Sequence, residues 1–480
     1  MLEPKALQLT AGSAALGLLL SAAAAGLAGP WDSGQRTAER VRAAAQAPTG
    51  GAHHEPRRPA EPAPAPSAPG VLAALGTAPA APAAPPAGLA AALDPLVADP
   101  GLGPLRTAAV IDLASGEQLY GRGAGTPMTP ASTVKIATAA AALTALGPRH
   151  RIPTTVVAAP DGRTVTLVGG GDPTLDRARL RALADATARA LSRRGTTAVR
   201  LTYDTGRYTG PERHRIGVND NIAAVTALMT RAGRLDSSTS GPAPRSADPA
   251  GDTARAFAAL LDDRGIDTAP APAPGRAAKD AAPLARTHSA PLAALVEQTL
   301  THSDNDLAEA LARHTALATG RPASFDGAGE AVHAQLAKLG LPLAGARFAD
   351  GSGLDRRGKV TARLLTELLA RAADPARPEL RPVLTGLPVG GFTGTLGDRY
   401  GDGSPGAGLV RAKTGTLTGV NALAGTLVTA DGRLLAFAFL AGNTPSPYTA
   451  QPALDRLADA LTAAGNGPDR AAGASPAPTA

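Results

Sequence analysis

The sequence predicts an α/β (α+β) fold, an antiparallel sheet flanked by helices with a large mixed α/β region inserted into it. Three observations carry this expectation. Strand-like runs occur near both ends of the body of the chain, at Ala108–Leu113 and between Leu409 and Leu440, so they can join one sheet. Helical segments lie between them, notably an Ala-rich stretch ending at Leu146. A mixed run of strands and helices, residues 149–290, separates the two halves.

Each element follows in order. Lys5 precedes an apolar run, Ala14–Ala28, with small residues and Pro30 after it. Residues 1–30 therefore read as a signal peptide or a membrane anchor, and either places the rest of the chain outside the cytoplasm. Residues 31–88 are Ala/Pro-rich, as in Glu61–Pro66, with too little apolar mass to offset ordering entropy; a disordered, extended linker is expected. Leu89–Val97 reads as a helix, and Ala108–Leu113, turning at Ala114–Glu117 into Gln118–Tyr120, as a hairpin. Thr129 and Pro130 then read as the N-cap and first position of the Ala-rich helix, which Gly147–Pro148 stops.

The inserted region, residues 149–290, reads as two subdomains. Its strands are placed at Thr154–Ala158, Thr164–Val168 and Ala198–Tyr203, its helices at Arg177–Arg193 and Thr253–Asp263, and a linker at Ala269–Pro274. Helices Pro291–Thr301 and Asp306–Leu317 follow, joined by a polar break, and then helix Val360–Ala373. Strands Leu409–Thr414, Ala422–Thr429 and Arg433–Leu440 and a helix, Gln451–Ala463, close the body. Residues 89–148 and 291–465 thus form one discontinuous domain, and 466–480 a disordered tail.

Composition narrows the function. The 480 residues include no Cys, which excludes disulfides, thiolate metal sites and a Cys nucleophile. Aromatics are 2%, too few for base-stacking platforms. The net charge of +7 comes from arginine: only six of the 47 basic residues are lysine. The arginines are spread among nearly as many acids, so the surface reads as mixed and solvated, with no nucleic-acid partner.

The scarcity of lysine makes Ser132–Lys135 conspicuous. It places a hydroxyl and an amine three residues apart on one face of a helix start. Serine needs a neighbouring base, and a buried lysine can be one. The helix N-terminus disfavours the ammonium and offers N–H groups to an oxyanion. Ser303–Asp304–Asn305 sits in the break between two helices; alone it reads as a cap, Ser303 with Asp306. Lys413–Thr414–Gly415–Thr416 ends a predicted strand; alone it reads as an exposed strand end with a Gly bulge.

Together, S-x-x-K, S-D-N and K-T-G form the signature of class A β-lactamases and penicillin-binding proteins. The chain resembles the low-molecular-mass class C penicillin-binding proteins, the D-alanyl-D-alanine carboxypeptidase/endopeptidases. Leu167–Leu175, Ser303–Leu311 and Asp350–Leu354 resemble that subclass in particular, and so does the 171-position interval from Ser132 to Ser303. The likeness runs from about Leu89 to Ala464.

The resemblance implies a penicillin-binding/β-lactamase-like transpeptidase fold and a role for each motif residue. Ser132 would be the acylated nucleophile and Lys135 its base. Ser303 would relay a proton to the leaving nitrogen, and Lys413 would set the cleft potential and orient Ser303. Asn305 would contact the substrate amide, Thr414 and Thr416 its carboxylate, and Gly415 would let substrate approach the backbone. The oxyanion hole would be the Ser132 and Thr416 N–H groups. Implied partners are peptidoglycan stem peptides, with β-lactam antibiotics as inhibitors; no metal or cofactor is expected. A serine β-lactamase and a non-catalytic peptidoglycan-binding protein are the rival readings. Three other glycine patterns lack what they need. Pro405 interrupts Gly401–Gly406 as a dinucleotide site, Val360 replaces the hydroxyl of a P-loop, and Gly351–Gly353 lacks the outer glycines of a nucleophile elbow.

Overall fold

The computed structural model describes residues 88–464. The expected signal or anchor at 1–30, the linker up to residue 87 and the tail at 466–480 lie outside the described residues. A first helix, α1 (Leu89–Val97), leads into the hairpin β1 (Leu105–Asp112) and β2 (Gln118–Arg122), then α2 (Val134–Leu146). The middle of the chain supplies β3 (Pro153–Ala158), β4 (Thr164–Val168), α3 (Arg177–Ser192), β5 (Arg200–Asp204), α4 (Pro249–Asp262), β6 (Ala273–Pro274) and β7 (Ala282–His288). The helices α5 (Leu292–Thr301), α6 (Asn305–Ala318), α7 (Phe325–Lys338), α8 (Ala362–Ala373) and α9 (Arg381–Thr385) follow. The strands β8 (Arg411–Leu417), β9 (Val420–Val428) and β10 (Leu434–Gly442) and the helix α10 (Pro447–Ala463) complete the order.

The strands near the two ends do join. The first sheet runs β2-β1-β10-β9-β8 and is antiparallel throughout. Its central strands are apolar on both faces because helices cover both. Along β10, Leu435, Phe437 and Phe439 point into the layer that holds α1 and α10, and Ala436, Ala438 and Leu440 into the layer that holds α2 and α8. β9 repeats the alternation, with Leu423 on the first side and Ala422 and Ala424 on the second. Large side chains fill one layer, and alanines let helices come close in the other. Full burial of a side chain such as Phe437 is worth about 1.5–3 kcal/mol.

α2 is buried on all sides from Val134 to Leu143, which is why it is rich in Ala and shows no polar face. The second sheet runs β6-β5-β4-β3-β7 and is mixed: β4–β5 and β5–β6 are parallel, β3–β4 and β3–β7 antiparallel. α3 and α4 contribute to its core through Leu180, Leu183, Phe257 and Leu261. Among the described residues, no helix is long and apolar enough to cross a membrane.

Several elements differ from the sequence expectation. Residues Ala273–Pro274, placed in a linker, pair with β5 as a short parallel strand. β7 is half exposed along its length and so carries no apolar run to betray it. α7 contains Gly327 and Gly329, poor helix formers, yet a Cβ there would lie 2.2 Å from the Pro322 carbonyl oxygen and 1.9 Å from that of Phe348. Close packing demands the glycines that hide the helix. At α2, Thr129 is not the N-cap. A 3₁₀ turn, Ala131–Thr133, precedes the α-helix, and Thr129 Oγ1 instead accepts from Lys359 Nζ at 2.9 Å.

Candidate active site

The site begins with backbone geometry. Ala131, just before Ser132, has φ +47°, and Ser303 has φ +56°, a region that side-chain-bearing residues seldom adopt. Both lie at the entrance to a helix, α2 and α6. At these entrances Ser132 and Ser303 both line one cleft of about 390 Å³. Asn305, Thr414 and Thr416 line the same cleft. Lys135 and Lys413 are fully buried and close to it. Three segments far apart in sequence therefore meet at one cleft.

Lys135 Nζ has three partners: Ser132 Oγ at 2.9 Å, Asn305 Oδ1 at 2.7 Å and the Ser352 carbonyl oxygen at 2.6 Å. The amide and backbone oxygens can only accept. The hydroxyl can also donate. A neutral amine therefore fits without loss, giving its two N–H bonds to the obligate acceptors and its lone pair to the Ser132 hydroxyl. Burial pulls the Lys135 amine down to about 8, against the pull of Asp350, Glu309, Asp304 and Asp306. Burial, then the nearby charge of Lys135, holds Lys413 well below the ordinary lysine value.

The structure revises three expected details. Ser303 is not the cap of α6; Asp304 is, accepting from the Leu307 N–H at 2.9 Å, and this leaves the Ser303 hydroxyl free for the cleft. Lys413 Nζ donates to the Thr414 carbonyl oxygen at 2.9 Å, and among the described residues no hydrogen bond joins it to Ser303. The K-T-G segment lies within β8 and does not end it. There Gly415 is buried, and its missing side chain faces protein and not ligand: a Cβ would lie 2.7 Å from the Pro130 carbonyl oxygen and 3.2 Å from Ala131 Cβ. The glycine lets β8 press against the turn that carries Ser132.

The middle of the chain reaches the same cleft. Asn305 Nδ2 donates to the Asn221 carbonyl at 3.0 Å, and Asp306 Oδ1 accepts from the Ala223 N–H at 2.9 Å. Arg245 and Asp306 form an ion pair at 2.8 Å with both side chains 2% exposed. Sequence reasoning missed these contacts, and also the Thr395 hydroxyl 2.8 Å from that of Thr414. It missed the Ser352 carbonyl too, although Asp350–Leu354 stood out as a family-like segment. Gly353 shows why that segment is Gly-rich: φ is +84°, and a Cβ would lie 2.0 Å from the Ala131 carbonyl oxygen. His302 is exposed at the cleft rim, and His314 is buried within α6.

Comparison with known proteins identifies the family of the chain and its fold. The model of the D-Ala-D-Ala carboxypeptidase 3 (S13) family matches residues 89–233 and 220–461. A carboxypeptidase of Mycobacterium tuberculosis is 39% identical over 401 residues, covering 78% of this chain and 84% of its own. A D-alanyl-D-alanine carboxypeptidase from an Actinomadura strain is 30% identical over 462 residues, covering 76% and 84%. The crystal structure of penicillin-binding protein 4 from Haemophilus influenzae has the same fold, with a TM-score of 0.65, 22% identity, and coverage of 78% of this chain and 98% of its own. A structure of that protein complexed with a β-lactam gives a TM-score of 0.61 at 23% identity, over 77% and 98% of the two chains. With the family model spanning the folded body from its first helix to its last, this chain belongs to the D-Ala-D-Ala carboxypeptidase 3 (S13) family.

Proposed function

We propose that this chain is a serine-type D-alanyl-D-alanine carboxypeptidase that hydrolyses peptidoglycan stem peptides through an acyl-enzyme on Ser132, and that penicillin acylates the same hydroxyl. The observation that carries the reading is the set of three partners around Lys135 Nζ, which accommodates the neutral amine and aims its lone pair at Ser132. Its S13 relatives carry the carboxypeptidase name, and the Haemophilus influenzae protein of this fold has been crystallised with a β-lactam.

In this reading the reaction is acyl transfer in two halves. Ser132 Oγ bonds to the carbonyl carbon between the two D-alanines while its proton passes to Lys135 Nζ. The oxyanion takes hydrogen bonds from the Ser132 and Thr416 N–H groups; β8 is the outer strand of its sheet, where alternate N–H groups lack a ladder partner. The C–N bond breaks as Lys135 returns that proton, through the Ser303 hydroxyl, to the leaving nitrogen, and D-alanine departs. Thr414 and Thr416 hold its carboxylate, and Asn305 the preceding amide. Water then attacks the ester, its proton passes to Lys135 and on to Ser132 Oγ as the ester C–O bond breaks, and the Ser132 hydroxyl and the neutral amine are restored. Residues 89–148 and 291–465 form the catalytic domain in this reading, with 149–290 inserted. The substrate places the protein outside the cytoplasm, secreted or held by residues 1–30.

Intact-protein mass spectrometry after penicillin treatment tests the nucleophile. One adduct is expected on the native chain and none on Ser132→Ala; an adduct that persists in Ser132→Ala refutes the assignment. Analysis of digested muropeptides then identifies the product, and release of D-alanine is expected.

A further inference from the structure

The third partner of Lys135, the Ser352 carbonyl, belongs to a loop pinned from behind by two buried carboxylates. Glu309, on α6, accepts from the Gly351 N–H at 3.1 Å and the Ser352 N–H at 2.9 Å. Asp350 accepts from Ser352 Oγ, the Gly353 N–H and the Asp355 N–H, each at 2.9 Å. His214 Nε2 lies 3.0 Å from Asp350 Oδ2, the oxygen that also accepts from Ser352 Oγ and the Asp355 N–H, and His214 comes from the middle of the chain, not from the sheet-and-helix body. Glu309 and Ser352 are 0% exposed, Asp350 and His214 3%.

Such burial leaves charge balance to the protein. The ligand atoms of His214, Glu309 and Asp350 lie within 4.8 Å of one another, a grouping that also suits a metal ion. All four carboxylate oxygens, however, already accept hydrogen bonds from protein donors, so the cluster is satisfied as it stands. Two carboxylates this close repel, and cations must answer them. Lys135 lies on one side, His214 on the other, and Arg313 one turn along α6. Burial alone would discharge His214, but its bond to Asp350 and the charges of Glu309 and Asp350 raise it above the ordinary histidine value. Burial, then Asp350, pushes Glu309 up.

We propose that Glu309, Asp350 and His214 are positioning residues that hold the Lys135 amine through the Ser352 carbonyl and balance its charge. The inference rests on the reading of Lys135 as the base. It makes that base responsive to a residue from the middle of the chain. The other charges facing this group are in place: Lys413 from β8, Asp304 and Asp306 at the start of α6 with Arg245 on Asp306, and Asp355 beside His214 with Arg357 on it. Phe325 closes the His214 ring from the side, 5.4 Å between centroids.

The test is the pH profile of penicillin acylation, whose acid limb reads the fraction of neutral base. Glu309→Gln removes a negative charge, favours the neutral amine and is expected to move the limb to lower pH. His214→Gln removes the positive charge that answers Asp350, favours the ammonium and is expected to move it to higher pH. Shifts of about one unit each correspond to buried charges several Å apart. Opposite shifts support the proposal. Limbs that stay put while thermal stability falls overturn it and leave the cluster structural. If Glu309→Gln does not fold, the His214→Gln profile decides by itself. Stoichiometric metal in the purified full-length protein also overturns the proposal. Lys135→Ala separates the two claims. Acylation that survives it defeats the base assignment itself. Loss of acylation with unmoved limbs in the other variants defeats only the network.

Discussion

Asn305 Oδ1 accepts a hydrogen bond from Lys135 Nζ at 2.7 Å, while the amide nitrogen of the same side chain donates to the Asn221 carbonyl at 3.0 Å. One side chain thus joins α2, the start of α6 and the middle of the chain at the amine that faces Ser132. Its two bonds require the amide in one orientation, so the acceptor at Lys135 is chemically defined.

The pH dependence follows from this amine. With Lys135 drawn down to about 8 by burial, its neutral form grows as pH rises toward that value. Acylation by penicillin is expected to climb about tenfold per unit on the acid side and to level off above the midpoint. Rates measured across the range check it, and a flat profile from acid to neutral pH contradicts it.

Lys413 is expected to trade stability for function. Its amine is fully buried beside Lys135, with the Thr414 carbonyl as its hydrogen-bond acceptor. Lys413→Met keeps the volume and removes the desolvation cost, so the melting temperature should rise by about 2–4 °C while acylation falls at least about 100-fold. The pH dependence has a definite sign. A lysine depressed in the fold binds more protons when unfolded, so its contribution to stability is complete above the unfolded value and is lost as pH falls. The advantage of Lys413→Met should therefore widen toward acid pH in calorimetry.

Gly415→Ala tests the contact between β8 and the Ser132 turn. The new methyl would lie 2.7 Å from the Pro130 carbonyl oxygen, so strand and turn must separate. A shift approaching 1 Å costs about 100-fold in rate when reacting groups must be aligned. Circular dichroism should be unchanged and acylation reduced by about that factor. Native rates in this variant would return Gly415 to a role in admitting substrate.

Arg245→Met tests the buried tie at the foot of the cleft. It leaves Asp306 without its cation in a site 2% exposed, which costs about 3–5 kcal/mol. A loss of unfolding free energy of that size, seen as a lower denaturation midpoint, is expected, with faster proteolysis in the segment from Asn221 to Arg245. An unchanged midpoint would show that Asp306 is satisfied by the Ala223 N–H without its cation.

Much of the architecture is legible in local pattern. β9 and β10 alternate and are apolar, α2 is Ala-rich, and two of the three short motifs stand out because each carries a lysine, a residue with only six copies in the chain. What escapes local reading has a physical cause in each case. β7 is half exposed, and α7 carries glycines that close packing requires. The 3₁₀ entry to α2 depends on a positive φ at Ala131, which no alanine announces.

The chain order of residue types, through the family it resembles, was enough to expect that a hydroxyl, an amine and two polar clusters share one site, since each chemical group is written in its own residue. Only folding decided which partners each group receives. The Ser352 carbonyl, the Asn221 carbonyl and the carboxylates of Glu309 and Asp350 reach Lys135 or its supports across as many as 217 positions. A backbone oxygen carries no residue identity, and a buried charge has no fixed strength until its neighbours are set. Those two facts are why the Lys135 amine, though visible in the sequence, acquires its proton affinity from the tertiary structure.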